Sequence, residues 1–198
     1  MKLYYSPGAC SLAARISLHE AGIAAEFERV DLKAKITETG RDYIAINPAG
    51  SVPMLVLDDG AAITENVAVL DLIASHEPRL GVSGPLGRTR LIEMLSYLST
   101  ELHIAFKPFW HGASGSEKQD AADAVAKRLN LLESRIAEPY LFGSDFTVAD
   151  AYLFVMLRWA KAFRLPIPPR LLNLFELASE RNAVRQALTE EAEPALNA

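Results

Sequence analysis

The sequence predicts an α/β N-terminal domain built on a mixed sheet, followed by an all-α C-terminal domain. Three observations support this prediction. Short strand and helix patterns alternate over residues 1–79. Two glycines and a proline then interrupt the pattern within residues 79–86, which we interpret as a linker. From residue 87 to residue 198, apolar residues recur every three or four positions, as amphipathic helices require.

The first half begins with a strand over Lys2–Tyr5, which ends at a Pro-Gly turn. A helix is predicted from Ser11 to Ala21, with Gly22 as its stop. Phe27–Leu32 is predicted as a second strand. Because a helix joins these two strands, they should lie parallel in one sheet.

An apolar run over Val52–Leu57 predicts another strand, and Asp58-Asp59-Gly60 is a strong hairpin signal. The partner strand should return over residues 61–63, and a helix should begin at Thr64 and end near His76. The hairpin adds antiparallel strands to a parallel pair, so the sheet should be mixed.

The second half contains two apolar helical stripes and one apolar stretch that begins with a capping-box pattern, Thr147 to Asp150. That stretch should be the buried central helix of the domain. Three prolines between residues 166 and 169 should separate it from the last helices. The stripes are Leu91, Met94, Leu95, Leu98 and Leu102, and then Val125, Leu129, Leu132 and Ile136.

Composition narrows the function classes. The net charge of −5 argues against nucleic acid as a partner, and no apolar run has the length of a membrane span. A chain with one cysteine, Cys10, cannot form an internal disulfide, so we expect a reducing, cytoplasmic location without a secretory signal. The histidines and the cysteine have no metal-ligand spacing, so no metal is expected.

Cys10 follows a strand and a turn and stands at the start of a predicted helix. Backbone N–H groups and the helix dipole favour a thiolate at such a position, which would make Cys10 reactive. The alternative is a small buried hydrophobic residue. A dithiol motif is excluded because the chain has no second cysteine.

Other candidates have an ordinary structural alternative. Val52, before Pro53, could pair with a peptide ligand as an extra strand, or the strand could simply begin at the proline. Asn66 and the free N–H groups of the helix start could bind a carboxylate, and Glu65 could attract an amine, or both residues could serve the helix start alone. Lys35 taken alone is a solvated lysine.

A cluster of aromatic and histidine side chains follows the first long helix of the second half. Most such residues belong to a core, although some could line an apolar pocket between the domains. The cluster comprises His103, Phe106, Phe109, Trp110 and His111.

Taken together, these signals resemble one family, the bacterial beta-class glutathione S-transferases, over nearly the whole chain. The matching segments are residues 1–13 (MKLYYSPGACSLA), 42–43 (DY), 47–53 (NPAGSVP), 57–60 (LDDG), 64–65 (TE), 100–103 (TELH), 146–154 (FTVADAYLF) and 157–159 (LRW).

The resemblance implies a thioredoxin-like N-terminal domain, a helical domain that contributes the co-substrate pocket, and a homodimer that binds glutathione as co-substrate. Cys10 and His103 would lie at the glutathione sulfur, and Cys10 could form a mixed disulfide with it. Val52, before a cis Pro53, would pair with the cysteinyl part of glutathione. Glu65 and Asn66 would bind the γ-glutamyl end, and Lys35 the glycine end. Asp150 would cap the central helix.

The sequence departs from the family pattern at three positions. Asn66 replaces the usual serine or glycine. Ser96, a candidate glutathione-binding residue, replaces an asparagine, which weakens an expected contact across the dimer. Ile104 replaces a lysine, so the pocket should lose a cation and become more apolar.

The implied function is a glutathione transferase that conjugates the glutathione thiolate to apolar electrophiles in detoxification. Phe106, Phe109 and Trp110 would hold the electrophile. Thiol-disulfide exchange through Cys10 is a related chemistry. The alternative is a non-catalytic protein that sequesters apolar ligands in the presence of glutathione.

Overall fold

In a computed structural model, which describes residues 1–110 and 114–192, the chain forms the two parts that its sequence predicts. The first is a five-stranded sheet with helices, and the second is helical. The strands are β1 (Lys2–Tyr5), β2 (Glu26–Asp31), β3 (Ile36–Thr37), β4 (Met54–Val56) and β5 (Ala62–Thr64). The helices of the first part are α1 (Ser11–Ala21), α2 (Tyr43–Ile46) and α3 (Asn66–His76).

The sheet is mixed, with strand order β3-β2-β1-β4-β5. β1 and β2 are parallel, and the other pairs are antiparallel. β1 therefore lies at the centre, and its end delivers the chain to the turn before α1. The hairpin between β4 and β5 is confirmed: Leu57 N–H donates to the Ala61 carbonyl at 2.8 Å, and Gly60 turns the chain with φ of 87°.

Two details differ from the sequence prediction. Thr64 is the last residue of β5, and α3 begins only at Asn66, because Glu65 lies between them in a left-handed conformation with φ of 65°. β3 was not predicted, since two residues in a polar segment carry no periodic pattern.

The second part is built around one buried helix, α7, whose residues from Val148 to Leu157 are fully or almost fully buried. α1 and α3 pack against it and so join the two parts. No helix within the described ranges is long and apolar enough to cross a membrane. The helices are α4 (Gly87–Tyr97), which continues as a π-helical segment (Leu98–His103), α5 (Lys107–Trp110), α6 (Gly115–Glu133), α7 (Val148–Ala162), α8 (Pro169–Ser179) and α9 (Asn182–Ala192).

The capping box of α7 has the predicted geometry. Asp150 N–H donates to the Thr147 hydroxyl at 3.4 Å, and Thr147 N–H and hydroxyl donate to Asp150 Oδ2 at 2.8 and 2.6 Å. Asp150 Oδ1 also accepts the Leu141 N–H at 2.8 Å. One buried carboxylate therefore fixes both the start of the central helix and the loop before it.

Candidate functional site

A cleft of about 650 Å³ opens where the sheet domain meets the helical domain. The loop between β1 and α1 and the segment before β4 form one wall, and side chains from the helical domain form the other. Five of the predicted site residues, Cys10, Lys35, Val52, His103 and Trp110, meet here from distant parts of the sequence. The lining includes Cys10, Lys35, Val52 and His103, together with Lys107, Trp110 and Trp159.

Cys10 stands at the N-terminus of α1 with helix-like backbone angles, φ −60° and ψ −21°. Its thiol donates to the Val52 carbonyl at 3.5 Å. Burial raises the pKa of Cys10 to about 12, and the nearby Glu65 carboxylate adds to the rise, although the backbone N–H groups of Cys10 and Ser11 oppose it. The expectation of a partly ionised thiol at neutral pH is therefore wrong, because desolvation outweighs the helix start.

Val52 lies just before β4, and the Val52–Pro53 peptide bond is cis. The ladder that joins β4 to its neighbours starts at Met54, so Val52 projects past the end of the sheet into the cleft wall. Pro53 is buried and does not line the cleft. The Val52 carbonyl, predicted to be available to a peptide ligand, accepts the Cys10 thiol instead.

Lys35 is more than a solvated lysine. Its side chain is partly buried, and Nζ donates to the Gly50 carbonyl at 2.7 Å. Residue 50 has φ of 60°, a conformation that favours glycine. The hydrogen bond from Lys35 to Gly50 holds the lysine ammonium group in the cleft wall, in which Val52 also lies.

Glu65 and Asn66 lie beside the cleft rather than in its lining. Glu65 is exposed, and its positive φ is costly for a residue with a side chain. Its carboxylate is close enough to raise the pKa of Cys10. Asn66 is buried, and neither polar atom of its side chain has a hydrogen-bond partner in the described structure. An exposed carboxylate on a strained backbone and an unsatisfied amide therefore stand together at the start of α3.

His103 reaches the cleft from the end of the π-helical segment. Its Nδ1 lies 2.8 Å from the hydroxyl of Tyr152, a buried residue of α7. Burial lowers the pKa of His103 to about 4, and the charge of Lys107 contributes. The ring is therefore neutral at physiological pH. It can serve the site as a hydrogen-bond donor or acceptor but not as a cation.

The three aromatic residues predicted to hold a co-substrate separate in the structure. Trp110 lines the cleft and is 41% exposed. Phe106 is fully buried, so its assignment to the pocket is wrong; it packs behind Trp110 and Trp159. Phe109 stacks on Phe163 at 4.6 Å between ring centroids and does not line the cleft. His111 lies outside the described residues.

The structure also locates the three residues that depart from the family pattern, Asn66, Ser96 and Ile104, relative to the cleft. Asn66 is described above. Ser96, on α4, does not line the cleft. Ile104 is 48% exposed and does not line it either, whereas Lys107 does. Residue 104 thus lies outside the cleft lining, so Ile104 does not make the lining more apolar, and Lys107 places a cation close to His103.

Sequence reasoning missed Lys107, Trp159 and Tyr152 as parts of the site. Trp159 and Tyr152 lie within the apolar stretch of α7, where nothing in the pattern distinguishes a cleft residue from a core residue. Lys107 lay in the segment interpreted only for its aromatic residues. Across residues 1–110 and 114–192, no group of three or more His, Cys, Asp or Glu residues could hold a metal ion.

A sheet domain that presents a cysteine, a cis-proline segment and a lysine to a cleft closed by helices defines the class of the protein. Residues 8–76 match the glutathione S-transferase N-terminal domain, and residues 85–187 match the glutathione S-transferase C-terminal domain. The chain belongs to the glutathione S-transferase family.

Individual relatives refine this assignment. The chain is 39% identical to the Escherichia coli glutathione S-transferase GstA, over 96% of this chain and 98% of that protein. A sphingomonad glutathione S-transferase complexed with glutathione superposes with a TM-score of 0.90 at 40% identity, covering 98% and 100% of the two chains. The beta-class enzyme of Sphingomonas chungbukensis superposes with a TM-score of 0.87 at 42% identity, covering 96% and 98%. The beta-class resemblance is confirmed, and the protein is an enzyme, a glutathione S-transferase.

Proposed function

We propose that this transferase binds glutathione in the 650 Å³ cleft and conjugates its sulfur to a largely apolar electrophile. The observation that carries the proposal is the meeting of Cys10, Val52, Lys35 and His103 in one cleft, although up to 93 positions separate them (103 minus 10). In this arrangement the cysteinyl part of glutathione lies beside Val52. The glycine carboxylate faces Lys35, and the γ-glutamyl group lies toward Glu65 and Asn66.

The unsatisfied Asn66 amide and the strained Glu65 support the γ-glutamyl position. A buried amide without a partner loses hydrogen-bond energy that a ligand can restore. The Glu65 carboxylate can pair with an ammonium group, and the Asn66 amide can donate to a carboxylate. An α-amino acid group carries both charges, so it fits the start of α3 better than a simple anion does.

At the sulfur, we assign Cys10 the role of a hydrogen-bond donor whose single thiol proton turns from the Val52 carbonyl to the ligand. Because its own pKa is raised to about 12, the Cys10 thiol keeps its proton while the glutathione thiol loses one. Neutral His103 can donate to the same thiolate. Two donors aimed at one sulfur lower the pKa of the glutathione thiol and thereby raise the fraction of nucleophile.

The electrophile would lie against Trp110 and Trp159, whose rings are 4.8 Å apart and nearly perpendicular. With an aryl chloride, the thiolate forms the C–S bond while the C–Cl bond breaks, and chloride leaves with the electron pair. Detoxification of such compounds is the role we propose. Thiol-disulfide exchange through Cys10 is a minor activity, because it requires the thiolate of a residue that holds its proton.

We further propose a cytoplasmic homodimer with one glutathione site in each subunit. The support is the family membership, and Ser96 on α4 remains a candidate for a contact with the site of the other subunit. Size-exclusion chromatography with light scattering tests the dimer. A single species at the mass of one chain would contradict it.

The deciding experiment is steady-state turnover of glutathione with 1-chloro-2,4-dinitrobenzene, combined with calorimetric titration of glutathione. We expect saturable turnover and one binding site per chain. Binding of glutathione with no turnover of several electrophiles would favour the alternative, a ligand-sequestering protein. Absence of glutathione binding would contradict the proposed function.

A further inference from the structure

The turn before Cys10 is fixed by the helical domain rather than by its own hydrogen bonds alone. Gly8 N–H donates to Glu191 Oε2 at 2.8 Å, and the Gly8 carbonyl accepts Trp159 Nε1–H at 2.8 Å. Gly8 has φ of 71°, a conformation that favours glycine. Side chains of α9 and α7 thus take the N–H and the C=O of a residue that lines the cleft two positions before Cys10.

The internal bonds of the turn lie on either side of Gly8. Ala9 N–H donates to the Ser6 carbonyl at 3.1 Å, and the Ser11 hydroxyl both accepts from Ser6 N–H and donates to the Ser6 carbonyl. These bonds close the turn but do not orient the Gly8 peptide groups. The two contacts from the helical domain do.

Glu191 is buried, with 9% of its surface exposed, and charged groups from three helices face it. Arg15 of α1 and Arg158 of α7 attract its charge, and Glu190 of α9 repels it. Glu190 itself pairs with Arg15 at 3.1 Å and with His19 at 2.8 Å. The balance is set mainly by burial, which raises the pKa of Glu191 to about 7.

We propose that Glu191 is a positioning residue that holds the Gly8 peptide, and with it the Cys10 turn, in the conformation that receives the sulfur of glutathione. Glu191 does not touch the ligand; it acts through Gly8 from behind the cleft wall. The proposal rests on the placement of glutathione in the cleft given above.

A pH dependence follows from the contact. An ionised carboxylate accepts a stronger hydrogen bond from an N–H than a protonated one does. Because the carboxyl loses its proton as the pH rises through about 7, Gly8 is held more tightly at pH 8 than at pH 6. The ligand-binding conformation is then more populated, and the apparent affinity rises with it.

The test measures the affinity for S-methylglutathione at pH 6 and pH 8, because this ligand has no thiol proton to complicate the comparison. We expect wild-type protein to bind about fivefold more tightly at pH 8, the difference between a charged and a neutral hydrogen bond. Glu191→Gln keeps an acceptor oxygen but cannot ionise, so its affinity should be the same at both pH values. Glu191→Ala should bind more weakly at both. Glu176→Gln, an exposed carboxylate on α8, is the matched control and should behave as wild type.

Thermal unfolding at pH 8 separates positioning from folding. Glu191→Gln removes a buried charge and should unfold at no lower temperature than wild type, even though its pH-dependent binding is lost. An unchanged pH dependence in Glu191→Gln would overturn the inference while leaving the glutathione site intact. Failure of wild type to bind S-methylglutathione at either pH would overturn the site itself and the inference with it.

Discussion

Two helices in this molecule, α7 and α1, differ in how the free backbone N–H groups at their N-termini are treated. At α7, the Thr147 hydroxyl accepts the Asp150 N–H and the Asp150 carboxylate accepts the Thr147 N–H, so the start is closed by a reciprocal pair. At α1, the residue in the capping position is Cys10, and no side chain in the described structure caps the helix. The start of α7 is buried and is completed by the protein, whereas Cys10 at the start of α1 is partly exposed and lines the ligand cleft.

The comparison shows that position at a helix start does not decide protonation. Burial raises the pKa of Asp150 to about 6, despite hydrogen bonds from Leu141 and Thr147. Burial likewise raises the pKa of Cys10, despite two backbone N–H groups. In both cases desolvation raises the pKa by more than the hydrogen-bond donors lower it. At α7 the Asp150 carboxylate is bonded to backbone N–H groups of the protein, whereas at α1 the Cys10 thiol keeps a proton that it can donate to a ligand.

The largest effect that would test this comparison concerns the native reactivity of Cys10. Because the pKa of Cys10 is raised from 9.0 to about 12, the thiolate fraction at neutral pH is about a thousandfold lower in the folded protein. Alkylation by iodoacetamide, followed by intact-protein mass spectrometry, should be slower by at least two orders of magnitude in folded than in unfolded protein. The folded rate should rise with pH up to pH 10. Rapid modification at pH 7, or a rapid mixed disulfide with oxidised glutathione, would show a thiolate.

The next effect is on stability. Asp150→Ala should lower the free energy of unfolding by about 2 kcal/mol, because it leaves buried donors of Thr147 and Leu141 without acceptors. Urea denaturation measures the change, with exposed Asp145→Ala as the control. The effect also depends on pH. A carboxyl whose folded pKa is raised from 3.8 to about 6 stabilises most at low pH and loses that contribution as pH rises through 6.

The difference between wild type and Asp150→Ala should therefore be about 1 kcal/mol larger at pH 5 than at pH 8. Glutathione affinity of the folded variant should stay close to that of wild type. A large loss of affinity with little loss of stability would reverse the roles that the comparison assigns to the two helix starts.

The smallest of the three effects concerns α3, the second helix start beside the cleft. Glu65→Ala should weaken glutathione binding about tenfold, the value of one charge-assisted hydrogen bond at a partly exposed site. Calorimetry of Glu65→Ala, Glu65→Gln and the surface control Glu93→Ala measures it. Thermal stability should change little, because the Glu65 side chain is exposed. An unchanged affinity would show that Glu65 serves only the connection between β5 and α3 and does not bind glutathione.

Local patterns predicted those features whose causes are local. The hairpin at Asp58-Asp59-Gly60, the stop of α1 at Gly22 and the capping box at Thr147 each depend on a few neighbouring residues. β3 has only two residues and no pattern to recognise. The family motifs also placed Cys10, Lys35, Val52 and His103, and these four do meet in the cleft.

What the sequence could not supply depends on distant packing. The protonation of Cys10 follows from the burial of its thiol, which forms only when β4 and the helical domain are in place. Phe106 and Trp110 are four positions apart, yet the first is buried and the second is exposed. This difference depends on how each ring packs against Trp159 of the distant helix α7. Glu191 shows no local signal, because its partner lies 183 positions away.

That separation has a consequence for how the enzyme is made. Glu191 follows Gly8 by 183 positions, so during translation the cysteine turn gains its anchor only after α9 has been synthesised. Contacts between such distant positions close large loops and form late in folding. A nascent chain that contains the sheet domain but not yet α9 would therefore lack an ordered thiol pocket, and the ability to bind the ligand would appear only when α9 has been made.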